Sequence, residues 1–153
     1  MNRIATAMFC ALCAIFIAST ASAEDTNLRA TLGANATGWT VAVKINGTAI
    51  PGITGGSAQA VQVFHKNHPY AKEFPENRRH LLCLTEGTNT IEITYAKVEG
   101  GDSFDLDVYV RAIGYSKALL EATPDPKENK GTLKGTFTLH GKEPKGFKTT
   151  KLK

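Results

Sequence analysis

Apolar and polar residues alternate with a period of two along much of the chain. Ile91, Ile93 and Tyr95 fall on one side of a stretch whose other side carries Thr90, Glu92 and Thr94. Phe104, Leu106, Val108 and Val110 share a side opposite Asp105, Asp107, Tyr109 and Arg111. Such alternation marks a strand with one face in a core and the other in water. Gly100-Gly101 lies between the two stretches, and a glycine pair accepts the positive φ of a two-residue hairpin loop. With that turn, Tyr95 pairs with Leu106, Ile93 with Val108 and Ile91 with Val110, all on the apolar face, and the outward Tyr109 lies opposite Glu92. This hairpin is the expected centre of the fold.

The same reading extends to both sides. Leu28, Ala30 and Leu32 predict a first strand that ends at Gly33-Ala34-Asn35. Trp39, Val41, Val43 and Ile45 predict a second, with Trp39 in the core by phase. Asn46-Gly47 follows at once and predicts a tight hairpin into Thr48-Ala49-Ile50, with Val43 facing Ile50 and Pro51 ending the run. Gly52 to Ser57 reads as a loop, Ala60 to Phe64 as a strand, and HKNHPYAKEFPENRR (65–79) as a long surface excursion with no period of its own. Long excursions on small domains are where binding often resides. Leu81 to Thr85 returns to the core. The helix formers of YSKALLE predict one short helix over 115–121, stopped by Thr123-Pro124-Asp125-Pro126. Leu133, Gly135, Phe137 and Leu139 predict a last strand, and residues 141–153 a Lys-rich tail, frayed or paired weakly at an edge. About seven to nine short strands separated by turns predict an all-β fold, an antiparallel two-sheet sandwich.

The first 23 residues change the setting. Arg3, an apolar run from Ala7 to Ala18 and Ala21-Ser22-Ala23 have the order of a cleaved signal peptide. The run is short for a membrane span of about 20 residues, and no later stretch is apolar enough to be one. Cys10 and Cys13 lack the preceding sequence of a lipid-attachment site. The expected mature chain starts at Glu24 and is a single domain over 24–140 plus the tail, destined for the periplasm or the exterior. It keeps one cysteine, Cys83, so an internal disulfide is excluded and packing must supply the stability.

The run VKING (43–47), then LTEGTNTIEITYAKVEGG (84–101) and FDLDVYV (104–110), resembles bacterial extracellular immunoglobulin-like modules over Trp39 to Arg111. A lesser resemblance is to galactose-binding-like jelly-roll modules, which leaves the jelly roll as an alternative topology. Either implies a sandwich that serves in adhesion, spacing or sugar contact without catalysis, and neither implies an activity for particular residues.

Candidate chemistry is sparse. His65-x-x-His68 followed by His80-x-x-Cys83 has the residue types of a zinc or copper site, but on a strand positions three apart face opposite sides. Asp102, Asp105 and Asp107 could offer oxygens to calcium, though the last two are simply the wet face of a strand. Elbow, phosphate-loop and His-Glu-x-x-His motifs are absent. Residues 24–125 carry 9 Lys+Arg against 12 Asp+Glu, whereas 126–153 carry 8 Lys against 2 Glu. The basicity is therefore a property of the C-terminal end, which lacks the arginines and stacked aromatics of a nucleic-acid site. These features point to an exported, non-catalytic module without cofactor that contacts a protein or glycan partner through 65–80. Alternatives are a periplasmic metal-binding protein using His65, His68, His80 and Cys83, or, lower, a small hydrolase or lyase with a dispersed site.

Overall fold

The computed structural model describes residues 23–153 except Thr54, Asp102 and Pro126. The expected signal peptide therefore lies almost wholly outside the described residues. Among those described, ten strands form two sheets. The larger contains β1 (Arg29–Thr37), β4 (Gly56–His65), β5 (Leu82–Leu84), β7 (Asp105–Ala112), β8 (Leu120–Ala122) and β10 (Thr150–Leu152), in the order β10-β8-β7-β1-β4-β5. The smaller contains β2 (Trp39–Ile45), β3 (Thr48–Ala49), β6 (Gly87–Lys97) and β9 (Lys130–Leu139), in the order β3-β2-β6-β9. Pairing is antiparallel through the middle of both sheets and parallel only where β5 joins β4 and β10 joins β8. The fold is thus an all-β two-sheet sandwich. No helix among the described residues is long and apolar enough to cross a membrane.

Alternation identifies the inward faces correctly. Val41, Val43 and Ile45 of β2, Ile91, Ile93 and Tyr95 of β6 and Phe137 and Leu139 of β9 are buried, as are Leu32, Val63, Val108, Val110 and Leu120 from the other sheet. Each fully buried aliphatic or aromatic side chain contributes about 1.5–3 kcal/mol. Trp39 belongs to this core, with its ring edge-on to Tyr95 at 5.6 Å and to Phe104 at 6.0 Å. The Asn46-Gly47 hairpin forms as expected: Asn46 and Gly47 have φ of 49° and 79°, and the Ile50 N–H donates to the Val43 carbonyl at 2.9 Å.

The central hairpin does not form. β6 pairs with β2 and β9, and β7 pairs with β1 and β8, so the two stretches lie in opposite sheets. Tyr95 aligns with Val41 and Gly131 rather than Leu106, and Glu92 lies between Lys44 and Lys134 rather than beside Tyr109. Residues 98–104 carry the chain from one sheet to the other, which leaves Phe104 41% exposed. Gly38 makes a similar crossing in one residue, between β1 and β2. Its φ is +76°, and a Cβ there would collide with the Ser103 carbonyl of the second crossing. The Val98 N–H, in turn, donates to the Gly38 carbonyl at 2.8 Å. Bare backbone at position 38 lets the two crossings pass each other.

Two further expectations fail for local reasons. β1 runs on through Gly33-Ala34-Asn35, because Gly33 lies beneath the Tyr109 ring, where a Cβ would strike it. Residues 115–121 are not helical. Tyr115 to Leu119 turn, and Leu120–Ala122 becomes β8 between β7 and β10, which buries Ala118, Leu119 and Leu120 together. Two exposed helical turns could not hide three adjacent apolar residues. The C-terminal tail ends as an edge strand.

Opposite the Gly38 end of β2, a pair of amides joins the sheets. Asn89 is fully buried. Its Nδ2 donates to the carbonyls of Thr85 at 2.9 Å and Gly87 at 3.1 Å. Its Oδ1 accepts from the Thr85 N–H at 2.9 Å and from Asn46 Nδ2 at 2.8 Å. Asn46 also donates to the Cys83 carbonyl at 2.8 Å and accepts from the Thr90 N–H at 2.8 Å. The Asn-Gly and Gly-x-Asn-x-Ile motifs are therefore one hydrogen-bonded unit in space.

Asn89→Ala strands several of these buried groups and is expected to cost about 3 kcal/mol, read as a lower urea midpoint at unchanged slope. Gly38→Ala should cost about 2 kcal/mol or more, and more than Gly47→Ala, since a Cβ at Gly47 meets nothing within 4 Å. Urea denaturation of the two variants side by side checks the order.

Candidate functional site

The 65–80 excursion is a succession of tight turns on the outer side of β4. The His68 N–H donates to the His65 carbonyl at 2.9 Å, Ala71 to His68 at 2.7 Å, Glu73 to Tyr70 at 2.9 Å and Arg78 to Pro75 at 2.9 Å. Ala71–Glu73 and Glu76–Leu81 are short 3₁₀ turns. Three-residue turns repeat too briefly to leave a sequence period, so the excursion reads as patternless although it is ordered.

Its side chains form an aromatic cluster. Phe64, on the outer face of β4, meets the Phe74 ring at 5.0 Å and the His68 ring at 5.3 Å, both edge to face. His68 stacks obliquely on Tyr70 at 5.6 Å. Tyr70 is 60% exposed, the largest exposure of any large hydrophobic residue among those described. A pocket of ≈ 310 Å³ opens between Phe64, Tyr70, Glu73, Phe74, Pro75 and Arg78. Its floor is aromatic, and its rim offers one carboxylate and one guanidinium. An apolar ring face can stack on such a floor while the rim engages hydroxyls or charges. Sequence reasoning found the segment but passed over Phe64, Tyr70 and Phe74. Three aromatics within eleven residues of an otherwise polar excursion were the available signal.

The four candidate metal ligands are not gathered. His65 is fully buried at the end of β4, not in a loop. Its Nδ1 accepts from the Asn67 N–H at 3.0 Å, so Nε2 carries the proton and donates to Glu24 Oε1 at 2.7 Å. Both ring nitrogens are thereby occupied. His68 Nδ1 accepts from the Tyr70 N–H at 3.3 Å. His80 borders an apolar groove with Val41, Ile50 and Ile53. Burial pushes the Cys83 thiol up to about 12, far from a thiolate ligand. Among the described residues, no three His, Cys, Asp or Glu side chains are placed to hold a metal ion. For the calcium reading, Asp102 lies outside the described residues. Asp105 accepts from the Asn35 amide, and Asp107 from the Thr123 hydroxyl at 3.3 Å.

The remaining shifted acids each answer to a structural contact. Glu92 is held below the usual carboxylate range by Lys134 at 2.9 Å, with Lys44 at 3.7 Å. Glu143 is lowered by the Ser116 N–H and hydroxyl. Burial, then the Glu128 carboxylate, pushes the Tyr95 phenol up to about 12. None of these groups lines the aromatic pocket. Comparison with protein families, with curated proteins and with solved structures finds no match.

Glu24, the residue after the expected cleavage site, is tied to the base of the excursion. The His65 hydrogen bond, assisted by the Glu86 N–H, lowers its pKa. A carboxyl that ionises more readily in the folded state adds stability above its ordinary value of 4.5 and loses it as pH falls through the lower folded value. Glu24→Gln should therefore lower the urea midpoint near about pH 7, and the difference should shrink as pH falls below 4.5. A difference that stays constant or widens as pH falls would refute this account.

Proposed function

We propose that the protein is an exported, non-catalytic β-sandwich binding module that holds its partner in the aromatic pocket of the 65–80 excursion. The observation that carries this reading is the pairing of a tightly turned backbone with a solvent-facing aromatic side chain. Tyr70 stays 60% exposed although it lies within ring contact of the cluster. A rigid aromatic platform gives contact area at small entropic cost, because few torsions are frozen on binding. Signal-like residues 1–23 support export, and the missing catalytic motifs support a binding role.

A glycan is the occupant the pocket serves best. A sugar presents an apolar C–H face for Tyr70 and hydroxyls for Glu73 and Arg78, the two polar side chains at the rim. Stacking on one aromatic ring is worth roughly 1–3 kcal/mol, judged by base–aromatic contacts of similar area. On a glycan array the purified protein should bind a limited set of sugars. Tyr70→Ala should weaken that binding by about ten- to a hundredfold with the thermal midpoint nearly unchanged. Binding that survives the substitution would remove the pocket from the account. Specific capture of an envelope protein with no glycan bound would assign the pocket to a protein partner.

A further inference from the structure

The lysine-rich C-terminal end is not a loose solubilising tail. The Thr150 N–H donates to the Leu119 carbonyl at 3.0 Å, and the Thr123 N–H to the Leu152 carbonyl at 3.1 Å. Phe147 stands edge-on to Tyr115 at 5.1 Å, and Leu152 covers Gly135 of the other sheet. Glu143 receives both the N–H and the hydroxyl of Ser116. Immobilising a backbone costs about 1–2 kcal/mol per residue, and solubility needs none of it. The backbone that carries the lysines is instead docked against the larger sheet.

Those positions converge. Arg111 of β7, Lys117 of the following turn, and Lys148 and Lys151 of the tail border one groove of ≈ 510 Å³ with Ser116, Glu121 and Thr149. Two carboxylates stand at the groove: Glu121 Oε2 lies 2.5 Å from Lys151 Nζ, and Glu143, bonded to Ser116, attracts Lys117. Arg111 lies 5.8 Å from the Tyr109 ring. Four cations thus face two carboxylates, and the excess of positive charge, centred on Arg111 and Lys148, draws in ligands of opposite sign.

We propose that this groove binds an acidic polysaccharide, one bearing sulfate, phosphate or carboxylate groups on its sugar units. The site is distinct from the aromatic pocket, which lies at the β4–β5 edge of the same sheet, and does not depend on it. The mixture of groups selects the occupant. Arg111 and Lys148 match the acidic substituents, with Lys117 shared with Glu143, while the Thr149 hydroxyl suits sugar hydroxyls. The volume falls within the ~300–1,000 Å³ typical of ligand clefts. Nucleic acid is disfavoured because no aromatic face lines the groove to stack a base. A flat bilayer is disfavoured because the groove is concave and has a carboxylate in its wall.

The test is titration of the purified protein with dextran sulfate and with neutral dextran at fixed ionic strength. Dextran sulfate should bind saturably and neutral dextran should not. Arg111→Gln with Lys148→Gln should weaken binding at least about tenfold. Lys44→Gln with Lys134→Gln, which removes the same charge from the opposite sheet, should change it less than about twofold. Should the Arg111 variant fold poorly by circular dichroism, Lys117→Gln with Lys148→Gln decides, since both side chains are exposed. Equal loss in the two double variants would reduce the effect to net charge and overturn the proposal. Tighter binding to duplex DNA or to phosphatidylglycerol vesicles, with the same residue dependence, would overturn it as well. So would comparable affinity for neutral dextran.

Discussion

The buried amide of Asn89 governs how the two sheets meet. Its four strong hydrogen bonds hold the corner before β6 and, through Asn46, the turn after β2. Asn46 also reaches the carbonyl of Cys83 in the larger sheet, so one polar unit spans both layers. A buried amide left unsatisfied is expensive, and one fully satisfied admits few alternative arrangements. The apolar faces would accept several relative placements of the sheets, since hydrophobic burial is not directional. The amide pair restricts that choice at one end of β2, and the crossing at Gly38 restricts it at the other.

How much of this could be read from the letters depended on the distance over which each feature acts. Alternation reports which side of a strand is dry, and it placed Trp39, Val43, Ile93 and Val108 in the core. Turn chemistry acts within four residues, and Asn46-Gly47 was legible for that reason. Partner choice is a long-range property. The apolar faces of β6 and β7 are as compatible with facing each other across a sandwich as with lying side by side, and Gly100-Gly101 made the local solution attractive. The seven residues from 98 to 104 leave enough chain to change sheets. Gly33 was misread for a related reason: without its neighbour Tyr109 in view, a glycine within a strand looks like an end.

For binding, the sequence marked the region and not the residues. The 65–80 excursion drew notice through its length and two prolines, while its histidines suggested chemistry that the backbone disperses. His65 was unreadable as a buried group because its partner, Glu24, is 41 positions away. The tail posed the opposite problem. Its charge was obvious, but its anchorage was not, because Phe147 and Leu152 are single apolar residues among lysines and carry no periodic signal. Their docking partners, Tyr115 and Gly135, come from separate strands or turns.

β9 closes the smaller sheet with β6 as its only paired neighbour among the described residues. A strand edge, here covered only in part where Leu152 meets Gly135, would ordinarily invite a second molecule to continue the ladder, the first step toward fibrillar stacking. Here the exposed positions alternate as Lys130, Thr132, Lys134, Thr136 and Thr138. Two like copies approaching in register would have to bring ammonium groups together and strip water from them. Reagents that acylate lysine would remove this guard without touching the core, leaving an intact fold newly able to self-associate.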